Sequence, residues 1–332
     1  MRTFTYSAPA TVDDAVAALS AAGPGAKFLA GGTTLYDLMK LGVEQPSTLV
    51  DVSRLAELAT IAAGDDELVI GAGARMADVA ADAVLRRDYP VLAESLWRAA
   101  SQQLRNMATV AGNLLQRTRC PYFRETMFPC NKRDPGSGCA ARGGVDRGQA
   151  VLGTSDACVA TFPGDFPVAL LALDAVVDVL SPRGERTVPI AGLHVEPGDT
   201  PQREHTLAPD ELILRIRVPA PPAGRGSTYL KVRDRESYAF ALAAAAVAVT
   251  IGPGGVVGEC RIALGGVATR PWRAAEAERV VAGRRLTAET TREAGEAALA
   301  GARPGNDNGF KIELARRTVA EALRVAGERA AR

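Results

Sequence analysis

The apolar positions fall into short blocks whose period changes along the chain. Over residues 12–20, Val, Ala and Leu recur at helical spacing behind Thr11, and Asp13 and Asp14 occupy the first turn. Acids there suit the positive end of a helix dipole, so the pattern predicts a capped helix. The run at 26–30 predicts a strand, and 35–41 returns to helical spacing. Residues 48–52 and 68–72 predict strands, and 76–87 and 91–100 predict amphipathic helices, the second just after Pro90. Apolar runs at 166–173, 176–180 and 213–218 predict further strands. A Pro/Gly-rich connector at 219–226 then marks the best domain boundary. Beyond it, 229–232, 241–251 and 259–264 read as strands around a GPGG turn at 252–255, and helices fill the tail, ending with 311–331. The order describes an α+β domain followed by a smaller α+β domain.

Two segments break this rhythm with glycine. LAGGTTL at 29–35 lies between a strand and a helix. Its paired glycines allow close backbone approach, and its N–H groups and threonine hydroxyls could hold a pyrophosphate. TVAGNL at 109–114 follows the polar run 101–106 and could do the same. Each alone reads equally as an ordinary turn, and neither matches GxGxxG or a lysine-bearing P-loop. Between about 116 and 148 no usable hydrophobic period survives, and a stretch of that length inside a compact domain points to a functional insertion.

Composition narrows the partners. With 39 basic and 38 acidic residues the net charge is +1, so no overall field draws nucleic acid or an anionic membrane. The most apolar run, 239–251, is shorter than the roughly 20 residues that span a bilayer. The first ten residues show no secretory pattern, which predicts cytoplasmic synthesis, with export left to a signal-bearing partner.

Four of the five cysteines crowd into 39 residues with the spacing Cys120-x9-Cys130-x8-Cys139-x18-Cys158. Such clustering in a large chain points to metal or redox chemistry more than to a disulfide frame. Zinc knuckles use close C-x2-4-C pairs, absent here, and the only histidines are His194 and His205. A [4Fe-4S] cluster needs four convergent thiolates. Spacing alone leaves cluster, zinc and unligated or disulfide-linked thiols open. Gly136, Gly138, Gly143 and Gly144 would let N–H groups turn toward the sulfurs. Seven basic and three acidic residues between Arg117 and Arg147 would offset an anionic cluster or form a solvated docking surface. Cys260, on an apolar strand, reads as a small core residue.

With the two loops, GDFPVALLALDA from Gly164, ELILRIRVP from Glu211, YLKVRDRESYAFAL from Tyr229 and ALGGVATRPWRA from Ala263 carry a resemblance that runs essentially end to end. The chain resembles the FAD-binding (medium) subunits of the xanthine dehydrogenase family of molybdenum hydroxylases. That resemblance implies a PCMH/vanillyl-alcohol-oxidase-type FAD-binding domain of two α+β subdomains over residues 1–222, then a C-terminal α+β domain over 223–332. It implies FAD contacts at Phe28, Leu29, Ala30, Gly31, Gly32, Thr33, Thr34 and Leu35, at Thr109, Val110, Ala111, Gly112 and Asn113, and at Asp165, Leu214 and Lys231. Asp165 could accept hydrogen bonds from the cofactor, and Lys231, one of five lysines, could balance its charge; a structural ion pair is the plainer reading of either. RTRCPYF, PCNKRDPGSGCA and SDACVA resemble the insertion of bacterial aldehyde oxidoreductase FAD subunits. That likeness implies a [4Fe-4S] cluster on Cys120, Cys130, Cys139 and Cys158, within about 116–160.

The resemblance further implies an electron-transfer subunit of a heterotrimeric aldehyde oxidoreductase, with a [2Fe-2S] small subunit and a molybdopterin-binding large subunit. Electrons would leave FAD for ferredoxin, quinone, oxygen or NAD. No side chain need act as acid or base, and the scarcity of histidine fits that. The competing readings are a self-sufficient flavin oxidase or dehydrogenase and a zinc-stabilised binding module.

Overall fold

The computed structural model describes residues 1–220 and 223–332; Pro221 and Pro222, inside the predicted connector, lie outside the described residues. Among the described residues, twelve strands form three sheets. In the first, β1 (Thr5–Ser7) and β2 (Ala26–Leu29) both pair in parallel with a central β3 (Thr48–Asp51). The helix Val12–Ala22 packs on it through Val12, Ala15, Val16 and Leu19, and Thr11 caps it by accepting from the Asp14 N–H at 3.1 Å.

The second sheet is antiparallel. Its strands are β4 (Ile61–Ala63), β5 (Glu67–Gly71), β6 (Val176–Ser181), β7 (Gly184–Pro189) and β8 (Leu212–Pro219), in the order β4-β5-β8-β6-β7. Leu68, Ile70, Val177, Val179, Ile216 and Val218 pack its inner face on the helices Met76–Ala81, Pro90–Trp97 and Phe166–Leu171. Leu212 and Leu214 of β8 instead join the core of the first sheet. One strand thus ties two subdomains together and leaves a cleft between them.

The third sheet belongs to the C-terminal half: β9 (Ser227–Val232), β10 (Ala243–Gly252), β11 (Val256–Gly265) and β12 (Trp272–Arg273), ordered β12-β11-β10-β9. Its strand β10 serves two cores at once. Ala244, Ala246 and Ala248 face the core of the FAD-type half, whereas Ala243, Ala245, Val247 and Val249 face the tail helices, among them Phe310–Ala330. Because side chains alternate along a strand, the alanine run gives one face small enough to lie flat on a second domain. Larger residues there would overpack the seam, at about 1–3 kcal/mol each.

The elements differ from expectation in two places, and a third segment without a predicted element proves helical. Residues 166–171 form a helix, not a strand: the run FPVALL is buried on every side, so it carries no period, and Pro167 suits a first helical turn. The helix expected over 76–87 breaks at Asp82, whose carboxylate accepts from the N–H groups of Val84 and Leu85 and starts a second helix, Ala83–Asp88. The polar run near 101–106 is helical, Gln102–Met107, capped by Ser101.

Candidate functional site

The cleft between the subdomains has a volume of about 810 Å³. That lies in the range of sites that enclose a sizeable organic ligand. All eight residues from Phe28 to Leu35 line it. Gly32 sits at φ 70°, which glycine adopts without strain. The chain then enters the helix Leu35–Lys40, where the Thr34 hydroxyl caps no helical N–H. The Tyr36 N–H already donates to the Gly32 carbonyl at 2.9 Å, so what this turn leaves toward the cleft is chiefly the Thr34 hydroxyl.

The second glycine segment lies directly against the first. A methyl group on Gly31 would overlap the carbonyl of Met107, meeting its carbon at 2.8 Å and the Ala108 Cα at 3.0 Å. The two loops therefore close on each other only because residue 31 has no side chain. Thr109, Ala111 and Gly112 line the cleft, and Thr109 accepts the Gly112 N–H at 3.2 Å to cap the short helix Val110–Leu114.

Five of the residues expected to touch a cofactor lie behind this lining. Val110 is wholly buried in the core. Asn113 accepts the Phe166 N–H at 3.3 Å through its side-chain oxygen, which ties the second loop to the helix behind it. The Leu214 carbonyl accepts from Ala72, which does line the cleft. Asp165 and Lys231, expected on the cofactor, pair with each other, 2.8 Å apart and both more than 90% buried. Asp165 also accepts the Tyr229 hydroxyl at 2.7 Å, and Lys231 also donates to the Arg98 carbonyl at 3.1 Å. Burial and the neighbouring Asp165 push the Tyr229 hydroxyl well above its ordinary value, so it stays a donor. Charges this far from water need a partner, and each is the other's.

On the opposite wall, Glu211, Leu212 and Ile213 belong to the ELILRIRVP motif, whereas Gln202 to Pro209 carried no signal in the sequence. This wall brings one histidine to the cleft and the other just behind it. His205 lines the cleft, and His194 stands opposite it across an antiparallel bridge. The His194 Nε2 donates to the Leu114 carbonyl at 2.8 Å. Its Nδ1 is then an acceptor, and it has no partner among the described residues. Burial pushes the His194 imidazole down to about 4. It also lowers that of His205, against the opposing pull of Glu204.

Beyond this wall Cys120, Cys130, Cys139 and Cys158 all line one small cavity. A bridge pairs Cys130 with Cys139, and the turn between them closes through Asn131, whose N–H donates to the Gly138 carbonyl at 2.7 Å. Gly136, Gly138 and Gly143 have positive φ, as such turns require. The donors that reach sulfur are different ones: the Gln149 amide at 3.3 Å from the Cys120 Sγ and the Ala160 N–H at 3.5 Å from the Cys158 Sγ. Gly144 serves a close approach instead, packed against the Tyr122 hydroxyl. Burial pushes the Cys158 thiol up to about 11 and raises that of Cys120, so a metal bound there would have to displace protons from these two thiols. Cys260 lies apart, in the C-terminal core, as a small apolar residue.

Among the described residues, no three His, Cys, Asp or Glu side chains converge as ligands of one metal ion. A zinc ion would draw its thiolates to about 3.8 Å from each other, given Zn–S bonds of about 2.3 Å in a tetrahedron. Four cysteines around one small cavity is as far as the arrangement goes. The insertion's arginines are largely spent on its own backbone and on carboxylates. Arg133 donates to the carbonyls of Tyr122, Phe123 and Phe128, and Arg119 and Arg124 both pair with Asp37.

A cleft of this size, built from two interlocked glycine loops with a threonine hydroxyl beside them, suits a phosphate-bearing organic ligand. The family model "FAD binding domain in molybdopterin dehydrogenase" matches residues 2–221, and "CO dehydrogenase flavoprotein C-terminal domain" matches 228–326. The chain is 48% identical over 328 residues to the aldehyde oxidoreductase FAD-binding subunit PaoB of Escherichia coli, covering 97% of this chain and 98% of that one. It is 30% identical to the carbon monoxide dehydrogenase medium chain of Hydrogenophaga pseudoflava, covering 99% and 98%. A solved carbon monoxide dehydrogenase structure from that organism superposes with a TM-score of 0.78. The chain belongs to the molybdopterin dehydrogenase FAD-binding family and is the FAD-binding medium subunit of a molybdenum hydroxylase-type oxidoreductase.

Proposed function

We propose that this subunit serves an aldehyde-oxidising complex and carries a [4Fe-4S] cluster beside its FAD. The observation that carries the second half is that Cys120, Cys130, Cys139 and Cys158 all line one small cavity. The first half is supported by the 48% identity to an aldehyde oxidoreductase FAD-binding subunit. Its partners in this reading are a [2Fe-2S] subunit and a molybdopterin-bearing subunit that binds the substrate. An external acceptor takes the electrons: ferredoxin, quinone, oxygen or NAD. FAD, when bound, accepts reducing equivalents and releases them. The chain's own residues bind and enclose it: Gly31, Gly32 and Thr34 with Gly112 hold the cofactor, and the segment 202–213 closes the far wall.

No helix among the described residues is long and apolar enough to cross a membrane. Synthesis in the cytoplasm, with any export depending on a signal-bearing partner, belongs to the same proposal.

The test is metal and flavin analysis of the full chain purified with its native partners. One FAD and four irons with four sulfides per chain are expected. Cys120→Ser and Cys139→Ser should lose the iron and its visible absorbance, whereas Cys260→Ser should keep both. Full iron in Cys120→Ser and Cys139→Ser, or zinc in place of iron, would overturn the cluster. Aldehyde turnover by the chain alone would overturn the subunit reading in favour of a self-sufficient oxidase.

A further inference from the structure

The cysteine cavity and the FAD cleft share a wall. Along it runs a chain of alternating charge: Lys27 to Glu44 at 3.0 Å, Glu44 to Arg117 at 2.5 Å, Arg117 to Glu204 at 2.5 Å, and Glu204 to Lys132 at 3.1 Å. The first four of these residues line the cleft, and Lys132 lines the cysteine cavity. Burial would push the Glu204 carboxyl up, but Lys132 and Arg117 outweigh it and hold it low, so the chain stays charged.

Two more links cross the same wall. The Arg117 guanidinium stands 4.6 Å over the ring of Phe123, which is wholly buried among Cys120, Cys130 and Cys158. Leu38 is buried in that same cluster yet also touches the cleft. Leu38 belongs to the six-residue helix Leu35–Lys40, whose first turn is the cofactor loop itself. Asp37, beside it, is held from the insertion by Arg119 at 3.0 Å and Arg124 at 2.9 Å. A helix that short has no stability of its own and keeps its shape only by docking. Its dock here is the cysteine insertion.

We infer that the two cofactor sites are coupled: a filled cysteine site holds Arg117 and the Leu35–Lys40 helix in place, and so tightens FAD binding. Arg117 and Asp37 are positioning residues, acting on FAD through the wall and the loop. This rests on the cluster reading above, and it assigns the insertion a definite task for the flavin whether or not electrons pass through it. Coupling of this kind is reciprocal, so bound FAD in turn protects the cluster.

The experiment is FAD titration of deflavinated full chain, read by quenching of flavin fluorescence, before and after the cluster is stripped with oxidant and chelator. Affinity should fall about tenfold on stripping and return when the cluster is rebuilt, a size typical of coupled sites. In Arg117→Gln the affinity should already be low, and neither stripping nor rebuilding should move it further. Asp37→Asn provides the second variant should Arg117→Gln fold poorly, with the same flattening expected. Iron release to a chelator from the unmodified chain should slow when FAD is present. Unchanged FAD affinity on stripping, or a loss in Arg117→Gln and Asp37→Asn that simply adds to that of stripping, would overturn the coupling. A chain purified without iron would overturn the cluster and the coupling together, whereas iron with no effect on FAD overturns the coupling alone.

Discussion

The ammonium of Lys231 lies 2.8 Å from the carboxylate of Asp165, in a place where neither side chain meets solvent. The pair joins the two halves of the chain: Asp165 precedes the helix Phe166–Leu171, and Lys231 is on β9. Removing one member leaves a buried charge alone, which costs about 3–5 kcal/mol, whereas removing both costs less than the sum. Asp165→Asn and Lys231→Met should each lower the urea midpoint sharply, and the double variant should recover part of the loss. Well below the transition, both single variants should keep their FAD. Loss of FAD from Lys231→Met with an unchanged midpoint would place that lysine on the cofactor instead.

Gly31 and Gly112 both line the cleft, but their neighbours differ in kind. A methyl on Gly31 runs into the Met107 carbonyl, which is backbone and cannot move aside without opening the loop pair. One on Gly112 meets only the Thr109 side-chain oxygen, at 3.1 Å, which can rotate away. Gly31→Ala should therefore purify largely without flavin, and Gly112→Ala should retain most of it but lose a helix cap, at about 1 kcal/mol. The ratio of flavin to protein absorbance ranks them, and the reverse ranking would refute this account of the two glycines.

What could be read from sequence was what is local. The first loop between a strand and a helix announced itself by glycine and threonine, and every residue from Phe28 to Leu35 lines the cleft. Most of the opposite wall could not be read, since Gln202 to Ala208 is an irregular segment without period, and Glu44, Glu204 and Arg117 look like any surface charges until the fold pairs them. His205 was passed over because a lone histidine says nothing about its neighbours. Spacing brought the cysteines under suspicion but not together; their place around one cavity depends on contacts such as Gln149 to Cys120, which join distant turns. The helix Phe166–Leu171 was misread because burial on all sides erases the period that tells helix from strand.

Acid should weaken the fold through His194 before it touches the carboxylate pairs. Its imidazole, pushed down to about 4 by burial against an ordinary 6.5, stays neutral in the fold while the unfolded chain takes up a proton. The unfolded state thus binds more protons between about pH 6.5 and 4, so stability falls as pH falls through that window. The full cost at the acid end is about 3 kcal/mol. Glu204 is held below its usual range and adds its own loss at lower pH. His194→Gln, which keeps a donor for the Leu114 carbonyl, should flatten the curve of urea midpoint against pH between 6.5 and 4. An unchanged slope would mean the imidazole is not the titrating group.

Lys311 offers a way to disturb the cysteine site without touching a cysteine. It lies in the C-terminal helix, is wholly buried, and donates to the carbonyls of Gly148 at 3.3 Å and Gln149 at 2.9 Å. Gln149 in turn places its amide on the Cys120 sulfur. Lys311→Met fits the same space but removes one donor from each carbonyl, leaving Gly148 to Thr161 at 2.9 Å and Gln149 to Asn308 at 3.4 Å, a loss of about 1 kcal/mol per hydrogen bond. For the cluster proposed above, iron content should fall in part, and the remaining iron should leave faster to a chelator. The same residue predicts an alkaline signature. Burial lowers its ammonium to about 8 from an ordinary 10.5, so between those values the unfolded chain holds a proton that the folded chain has released. Stability from this group therefore rises with pH across that window. The gap in urea midpoint between wild type and Lys311→Met, measured at pH 7.5 and again at pH 10, should shift by that rise. A gap independent of pH, with iron content unaltered, would show that Lys311 fills space and fastens nothing.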